Sequence, residues 1–387
     1  MSESQFIHAR ITGISAAVPQ DEIRIEDELE FFDGSLKKAQ RATKMIGMHR
    51  RRVAGDGVAA SDLCHHAAEN LLRGLAADRQ AIDALILVSQ SPDYSLPATA
   101  CILQHRLGLS QQCAAFDVNQ GCAGYVYGLW LACSLVESRA CSRVLLLAGE
   151  GLARIMDTDN RVVAPIFGDC GTATMVEYSA QESPSWFSLG TDGSGAKALI
   201  IPAGKNRIPL PKTAAEYEPL CERIFDQNGT PWRMTDTYMD GGKIFEFTLG
   251  VVPQHIREFM EFSGTTPETV DYLVLHQANK QIIQAIAEKS GFPPEKAPWE
   301  TFSKYGNSAC ASIPAAICDV LAAQLRSGTR RVVLSGYGVG LAWASALVDL
   351  NKIWCSGVLE YETPAGHPTT NDLIRYWHDK LSGNLPK

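Results

Sequence analysis

The run Ala81-Ile82-Asp83-Ala84-Leu85-Ile86-Leu87 returns in kind as Thr269-Val270-Asp271-Tyr272-Leu273-Val274-Leu275, and Arg143-Val144-Leu145-Leu146-Leu147 returns as Arg331-Val332-Val333-Leu334-Ser335. Both pairs carry one offset, 271 − 83 = 331 − 143 = 188. A shared offset over separate segments marks a duplicated unit. Each run is short and apolar and follows a helical pattern, as strands buried on both faces of a helix-covered sheet do. The chain is therefore predicted to be α/β and duplicated. Strands and helices should alternate in each half, with helices near 61–75, 97–107 and from 122, then near 244–262, 278–290 and 307–325.

The same offset carries Cys122 to 310, so Asn119-Gln120-Gly121-Cys122-Ala123 overlays Asn307-Ser308-Ala309-Cys310-Ala311. Two equivalent helix starts are thereby expected at one layer. The first half is read as 1–185 and the second as 186–350. Residues 205–236, rich in Pro and polar side chains without a clear period, read as an insertion loop of the kind that covers sites. The segment 351–387 carries Trp354, Tyr361, Trp377 and a helical pattern at 371–381, and reads as an appended docking segment.

The chain has 387 residues, 45% hydrophobic and 20% charged, which is ordinary globular usage with room for two or three packed units. Its formal charge of −8 argues against a nucleic-acid footprint. The one dense basic run, His49-Arg50-Arg51-Arg52, reads either as a solvated face or as a grip on a phosphorylated ligand. Eleven scattered Cys without CxxC pairs, and no secretory pattern after Met1, predict free thiols in a cytoplasmic setting. The longest uncharged stretch, 118–136, is broken by polar residues and three Gly, so no membrane span is expected. Asn228-Gly229-Thr230 matches a glycosylation sequon, which carries little weight in that setting.

Cys122 follows Asn-Gln-Gly and opens an apolar helix. A thiol there meets unpaired N–H groups and the positive end of the helix dipole, which lowers its pKa and makes a nucleophile; the alternative is a buried Cys acting as a small hydrophobe. His276 ends a strand and precedes Gln277-Ala278-Asn279, which leaves open an acid/base group or a satisfied core His. Asn307 follows Tyr305-Gly306 and suits an N-cap as well as a site. The duplication allows one pocket to hold all three. Gly336-x-Gly338-x-Gly340 is followed by a further apolar strand and so reads as a tight turn, not a dinucleotide loop. Cys64-His65-His66 lacks a second ligand cluster, and no metal site is expected.

These motifs, Asn-Gln-Gly-Cys122-Ala-Gly-Tyr, Ile166-Phe167-Gly168-Asp169, His276-Gln-Ala-Asn279, Tyr-Gly-Asn307-Ser-Ala-Cys-Ala-Ser-Ile-Pro and Gly336-Tyr-Gly338-Val-Gly340-Leu-Ala-Trp343, resemble the thiolase superfamily, nearest to its β-ketoacyl-(acyl-carrier-protein) synthase III branch. The likeness spans about 11–350. It implies βαβαβαββ halves in a five-layer αβαβα sandwich. It implies a Cys122, His276, Asn307 triad that takes an acyl group from an acyl thioester and condenses it with a malonyl thioester, with loss of carbon dioxide. The backbone N–H groups of Cys122 and Gly338 would form the oxyanion hole. Arg161, Leu96, Phe167 and Asn279 fall on substrate-binding positions, Leu96 on the one that reaches a partner's acyl pocket in family dimers. The resemblance implies acyl-CoA or acyl-carrier-protein substrates, malonyl-carrier protein, a homodimer, and neither metal nor redox cofactor. The family's coenzyme A contacts are incomplete: no Trp stands in the 44–50 segment, Met45 and Gln281 replace two Arg, and His49–Arg52 or a carrier-borne donor would compensate. An acyltransferase of the same fold, or a non-catalytic partner subunit, are the competing readings.

Overall fold

The computed structural model describes residues 2–156, 159–210, 212–227 and 229–383. Asn228 of the sequon lies outside them. Two sheets carry the architecture. The first has strands β2 (Ala9–Pro19), β3 (Ala84–Val88), β4 (Ala114–Val118), β5 (Arg143–Glu150), β6 (Cys170–Tyr178) and β11 (Trp354–Tyr361), in the order β11-β2-β6-β5-β3-β4. The second has β1 (Ser2–Phe6), β7 (Ser185–Thr191), β8 (Tyr272–Leu275), β9 (Thr329–Gly338) and β10 (Ala342–Asn351), in the order β1-β7-β10-β9-β8. The matched runs pair alike in the two halves: Leu85 registers with Leu145 in parallel, as Leu273 does with Val333.

Alternation of side chains across each strand generates the layers. Leu85, Leu87, Leu145 and Leu147 pack outward against helices α1 (Ala60–Gly74) and α2 (Thr99–Arg106). Ile86, Val88, Val144 and Leu146 face inward, into one core with Val274, Val332 and Leu334 of the other sheet. Between the sheets lie α3 (Gly124–Glu137) and the helical run from Ser312 to Leu325, which widens into a π-turn at Ile317–Leu321. Leu273, Leu275 and Val333 pack outward against α4 (Gly241–Phe262) and α5 (Lys280–Lys289). The result is the expected αβαβα sandwich, its buried aliphatic side chains each contributing about 1.5–3 kcal/mol.

Three local features depart from the sequence reading. The first is the terminal strands. β1 pairs with β7 and so belongs to the second half's sheet, while β11 pairs in parallel with β2 at the edge of the first. The tail is thus not merely appended, since its first strand supplies the hydrogen-bond partners that the edge of β2 would otherwise lack. The second is the missing third strand of the second half: 302–306, the counterpart of β4, lies in and just after a short helix, Glu300–Tyr305. This segment lacks an alternating apolar pattern. The fully buried Gln277 amide bridges the gap, donating to the carbonyls of Leu275 at 2.9 Å and Pro298 at 3.1 Å.

The third is the basic run. Arg50 pairs with Glu22 at 2.9 Å, Arg51 with Glu28, and Arg52 with Glu360 at 2.7 Å and with the carbonyl of Gln20. Arg51 and Arg52 are buried. Arg51 and Arg52 thus spend their charges on internal partners and hold the chain together, which leaves Arg50 and the exposed His49 as the accessible part of the run. Among the described residues no helix is long and apolar enough to cross a membrane.

Candidate active site

Cys122 lies in the tight turn that leads into α3, where the N–H of Gly124 bonds the carbonyl of Gly121. Its buried thiol borders a cavity of about 390 Å³. Gly336 and Gly338 at the end of β9 let that strand run against the turn. A Cβ on Gly338 would sit 2.7 Å from Cys122 Sγ, and one on Gly336 2.9 Å from its carbonyl oxygen. Glycine is required here by close approach, and the turn between β9 and β10 is the one the sequence predicts.

The expected depression of the Cys122 pKa is not found. Burial pushes the thiol up to about 11, the nearby Glu150 carboxyl adds to the rise, and a backbone hydrogen bond at Val339 opposes it only in part. Desolvation of a buried thiolate outweighs what a helix start offers. Cys122 therefore rests as a thiol near pH 7.

His276 leaves β8 with its backbone N–H on the carbonyl of Ser335 at 2.9 Å. The ring is buried, with Nδ1 2.8 Å from Ser312 Oγ, and Tyr337 stands edge-on at 5.5 Å with its hydroxyl donating to the His276 carbonyl. Burial pushes the imidazole down to about 4, so it is neutral near pH 7. Asn307 is held by its backbone, which bonds the carbonyl of Ile166 at 2.9 Å and accepts from Gly168 N–H at 3.1 Å. Its side-chain Oδ1 accepts the N–H of Ala309 at 2.9 Å. A backbone N–H can only donate, so the amide is oriented, and its NH2 is the end left for the cavity.

Cys122, His276 and Asn307 all line the one cavity, together with Phe167 and Asn279. Phe167 bridges to Asn307 and packs with Cys122, Leu152 and Met156. Asn279 also caps α5, accepting from Ile282 N–H at 2.9 Å. Leu96 and Arg161 do not line the cavity of their own chain: Leu96 is 82% exposed and Arg161 is exposed. Trp232, from the insertion, and Met239 just beyond it pack on the Cys122 cluster, and Asn160 ties the insertion down through the carbonyl of Pro231 at 2.7 Å. Among the described residues of 205–236, Trp232 packs on this cluster and none lines the cavity.

Two buried groups escaped the sequence reading. Glu150 ends β5, accepts from Ser91 Oγ at 2.8 Å, Gln90 N–H at 3.1 Å and Cys310 Sγ at 3.4 Å, and is pushed up to about 7 by burial. A carboxylate closing an apolar strand at Gly149-Glu150-Gly151 was its signal. Ser312 stood inside the Asn307 motif with nothing in the sequence to link it to His276.

Comparison with known proteins gives a consistent picture. The sequence profile of 3-oxoacyl-[acyl-carrier-protein (ACP)] synthase III matches residues 116–202, and that of its C-terminal region matches 260–350. A Campylobacter jejuni protein provisionally named 3-oxoacyl-[acyl-carrier-protein] synthase 3 is 35% identical over 360 residues, covering 93% of this chain and 99% of the relative. A β-ketoacyl-[acyl-carrier-protein] synthase III from Streptococcus equi subsp. zooepidemicus is 32% identical over 346 residues, 89% of this chain and all of the relative. The crystal structure of a 3-oxoacyl-(acyl-carrier protein) synthase from Burkholderia xenovorans superposes with a TM-score of 0.85 at 37% identity, covering 93% of this chain and 99% of that one. With the fold, the ordered motifs and full-length relatives in agreement, the chain belongs to the 3-oxoacyl-(acyl-carrier-protein) synthase III family of thiolase-fold condensing enzymes.

Proposed function

We propose that the chain joins an acyl group, taken from acyl-CoA or acyl-carrier protein, to a malonyl thioester carried on acyl-carrier protein, with Cys122, His276 and Asn307 as its catalytic residues. The observation that carries this reading is the convergence of a buried thiol, a neutral imidazole and an oriented amide NH2 on one cavity.

Cys122 Sγ attacks the acyl thioester carbon while its proton passes to His276. A neutral thiol and a neutral imidazole are costly to ionise singly, but the thiolate and imidazolium formed side by side stabilise each other. The tetrahedral oxyanion is held by the N–H groups of Cys122 and Gly338, the acyl–Sγ bond remains, and the donor thiol leaves with the proton. A malonyl thioester then binds and its carboxylate departs as carbon dioxide. The enolate oxygen that forms receives hydrogen bonds from the Asn307 NH2 and from His276 once protonated. The enolate carbon attacks the acyl carbon, the bond to Sγ breaks, and the thiolate recovers a proton. The apolar walls, including Leu152, Met156 and Phe167, keep water from the acyl-enzyme.

Leu96 fits a second copy of the chain, whose acyl pocket it would close. The test is product formation: β-ketoacyl thioester appearing from an acyl thioester and malonyl-carrier protein with the native chain and not with Cys122→Ala. Equal product from both would overturn the reading, and transfer of the acyl group to a hydroxyl or amine acceptor would favour the acyltransferase alternative.

A further inference from the structure

The hydrogen bonds around Ser312 fix where His276 keeps its proton. Ser312 opens the helical run between the sheets, five residues after Asn307, and is buried. Its hydroxyl donates to the carbonyl of Ala309 at 2.7 Å and accepts the N–H of Gln277 at 3.3 Å. A hydroxyl has one hydrogen, and a carbonyl can only accept, so that hydrogen lies on the Ala309 side. Toward His276 Nδ1, 2.8 Å away, Ser312 Oγ has only a lone pair to offer. Nδ1 must therefore carry the hydrogen. In a neutral ring the second nitrogen, Nε2, then has none and presents a lone pair.

From this geometry we infer that Ser312 is a positioning residue that holds His276 in the Nδ1–H tautomer, so that Nε2 faces the cavity as a proton acceptor and receives the Cys122 proton. The inference rests on the reading of Cys122 as the nucleophile. It supplies what that reading lacks, because a buried thiol in the resting state cannot attack until a base takes its proton. Were Nδ1 bare and Nε2 protonated, the ring would offer the cavity a donor and no lone pair.

The proton path balances. In acylation the Sγ–H bond breaks and Nε2–H forms, Sγ bonds the acyl carbon, the carbon–sulfur bond to the donor breaks, and the proton moves from Nε2 to the departing thiolate. In condensation one proton is taken up from solvent by Nε2, which donates to the enolate oxygen and then passes that proton to Sγ as the acyl–Sγ bond breaks. Throughout both half-reactions Nδ1–H stays on Ser312, in the neutral ring and in the cation alike.

The experiment measures the rate of Cys122 acylation by acyl-CoA, read as mass gain of the intact protein, from about pH 5 to about pH 9. Native chain, Ser312→Ala, Ser312→Thr, His276→Gln and the Ser312→Ala/His276→Gln pair are compared. Loss of a hydrogen bond that orients the base predicts about a tenfold slower maximal acylation in Ser312→Ala, with KM for the thioester within about twofold. Ser312→Thr, which keeps the hydroxyl, should recover most of the rate. The pair should be no slower than His276→Gln alone, because a residue acting only through His276 has nothing further to lose. Iodoacetamide alkylation of Cys122 should show the same order. Native-like acylation of Ser312→Ala across the pH range, or losses in the pair that simply multiply, would overturn the inference while leaving the nucleophile standing. A native chain that gains no mass at Cys122 would defeat the proposed function itself, and the role of Ser312 with it.

Discussion

Gly338→Ala tests the fit of β9 against Cys122, the proposed nucleophile. The added Cβ would lie 2.7 Å from both Cys122 Sγ and Cys122 Cβ, where ordinary van der Waals contact begins at 3.4 Å. Strand and turn must therefore separate by 3.4 − 2.7, about 0.7 Å, against the pairing of Gly338 with Ala342 of β10 and the packing around the buried Cys122. Overpacking of this size costs about 1–3 kcal/mol of stability. The larger effect should fall on catalysis, because the N–H groups proposed to hold the oxyanion belong to the two residues being pushed apart. Misplacing one such donor reduces turnover about 10²–10³-fold. Acylation followed by intact mass gives the rate, and urea unfolding gives the stability. A Gly338→Ala chain that acylates within threefold of the native rate at about the native stability would refute both the close approach and the oxyanion assignment.

Asn307→Asp keeps an oxygen for the Ala309 N–H but replaces the cavity-facing NH2 by a second oxygen. Condensation should fall about 10²–10³-fold while acylation of Cys122 changes only a few-fold, as single-turnover measurement of each half-reaction would show. His276 is pushed down to about 4, so the neutral base persists well below its ordinary range. The acidic limb of the acylation rate should accordingly lie near pH 4 and not near 6.5, as a pH series would reveal. Glu150 is raised to about 7, so the fold favours its protonated form, and this contribution is fully present below pH 4.5 and lost as pH rises through 7. Glu150→Gln should therefore flatten the pH dependence of urea stability between those limits by an amount on the order of 3 kcal/mol. An unaltered slope would show that the carboxyl is solvated.

Much of this site was legible because the chain repeats itself. The 188-residue offset paired Cys122 with Cys310 and Asn119 with Asn307, and both helix starts do lie in the layer between the sheets. His276 was found because it ends an apolar strand. What the sequence hid was whatever depends on partners distant along the chain. Arg50, Arg51 and Arg52 looked like a phosphate grip because Glu22, Glu28 and Glu360, which neutralise them, are scattered. The Cys122 thiol looked activated because a helix start is local and visible, whereas its burial is tertiary. The strand Trp354–Tyr361 was obscured by a bulge between Cys355 and Val358 that breaks its alternation. Residues 302–306, the counterpart of β4, lack its apolar pattern and lie in and just after a helix instead.

The most direct test of the account is intact-mass measurement of the native chain after exposure to a panel of acyl thioesters, with the adduct located by peptide mapping, and again after malonyl-carrier protein is added. The account predicts an acyl mass on Cys122, absent in Cys122→Ala, that malonyl-carrier protein discharges as a β-ketoacyl product. An adduct on another residue, or none with any donor, would contradict it.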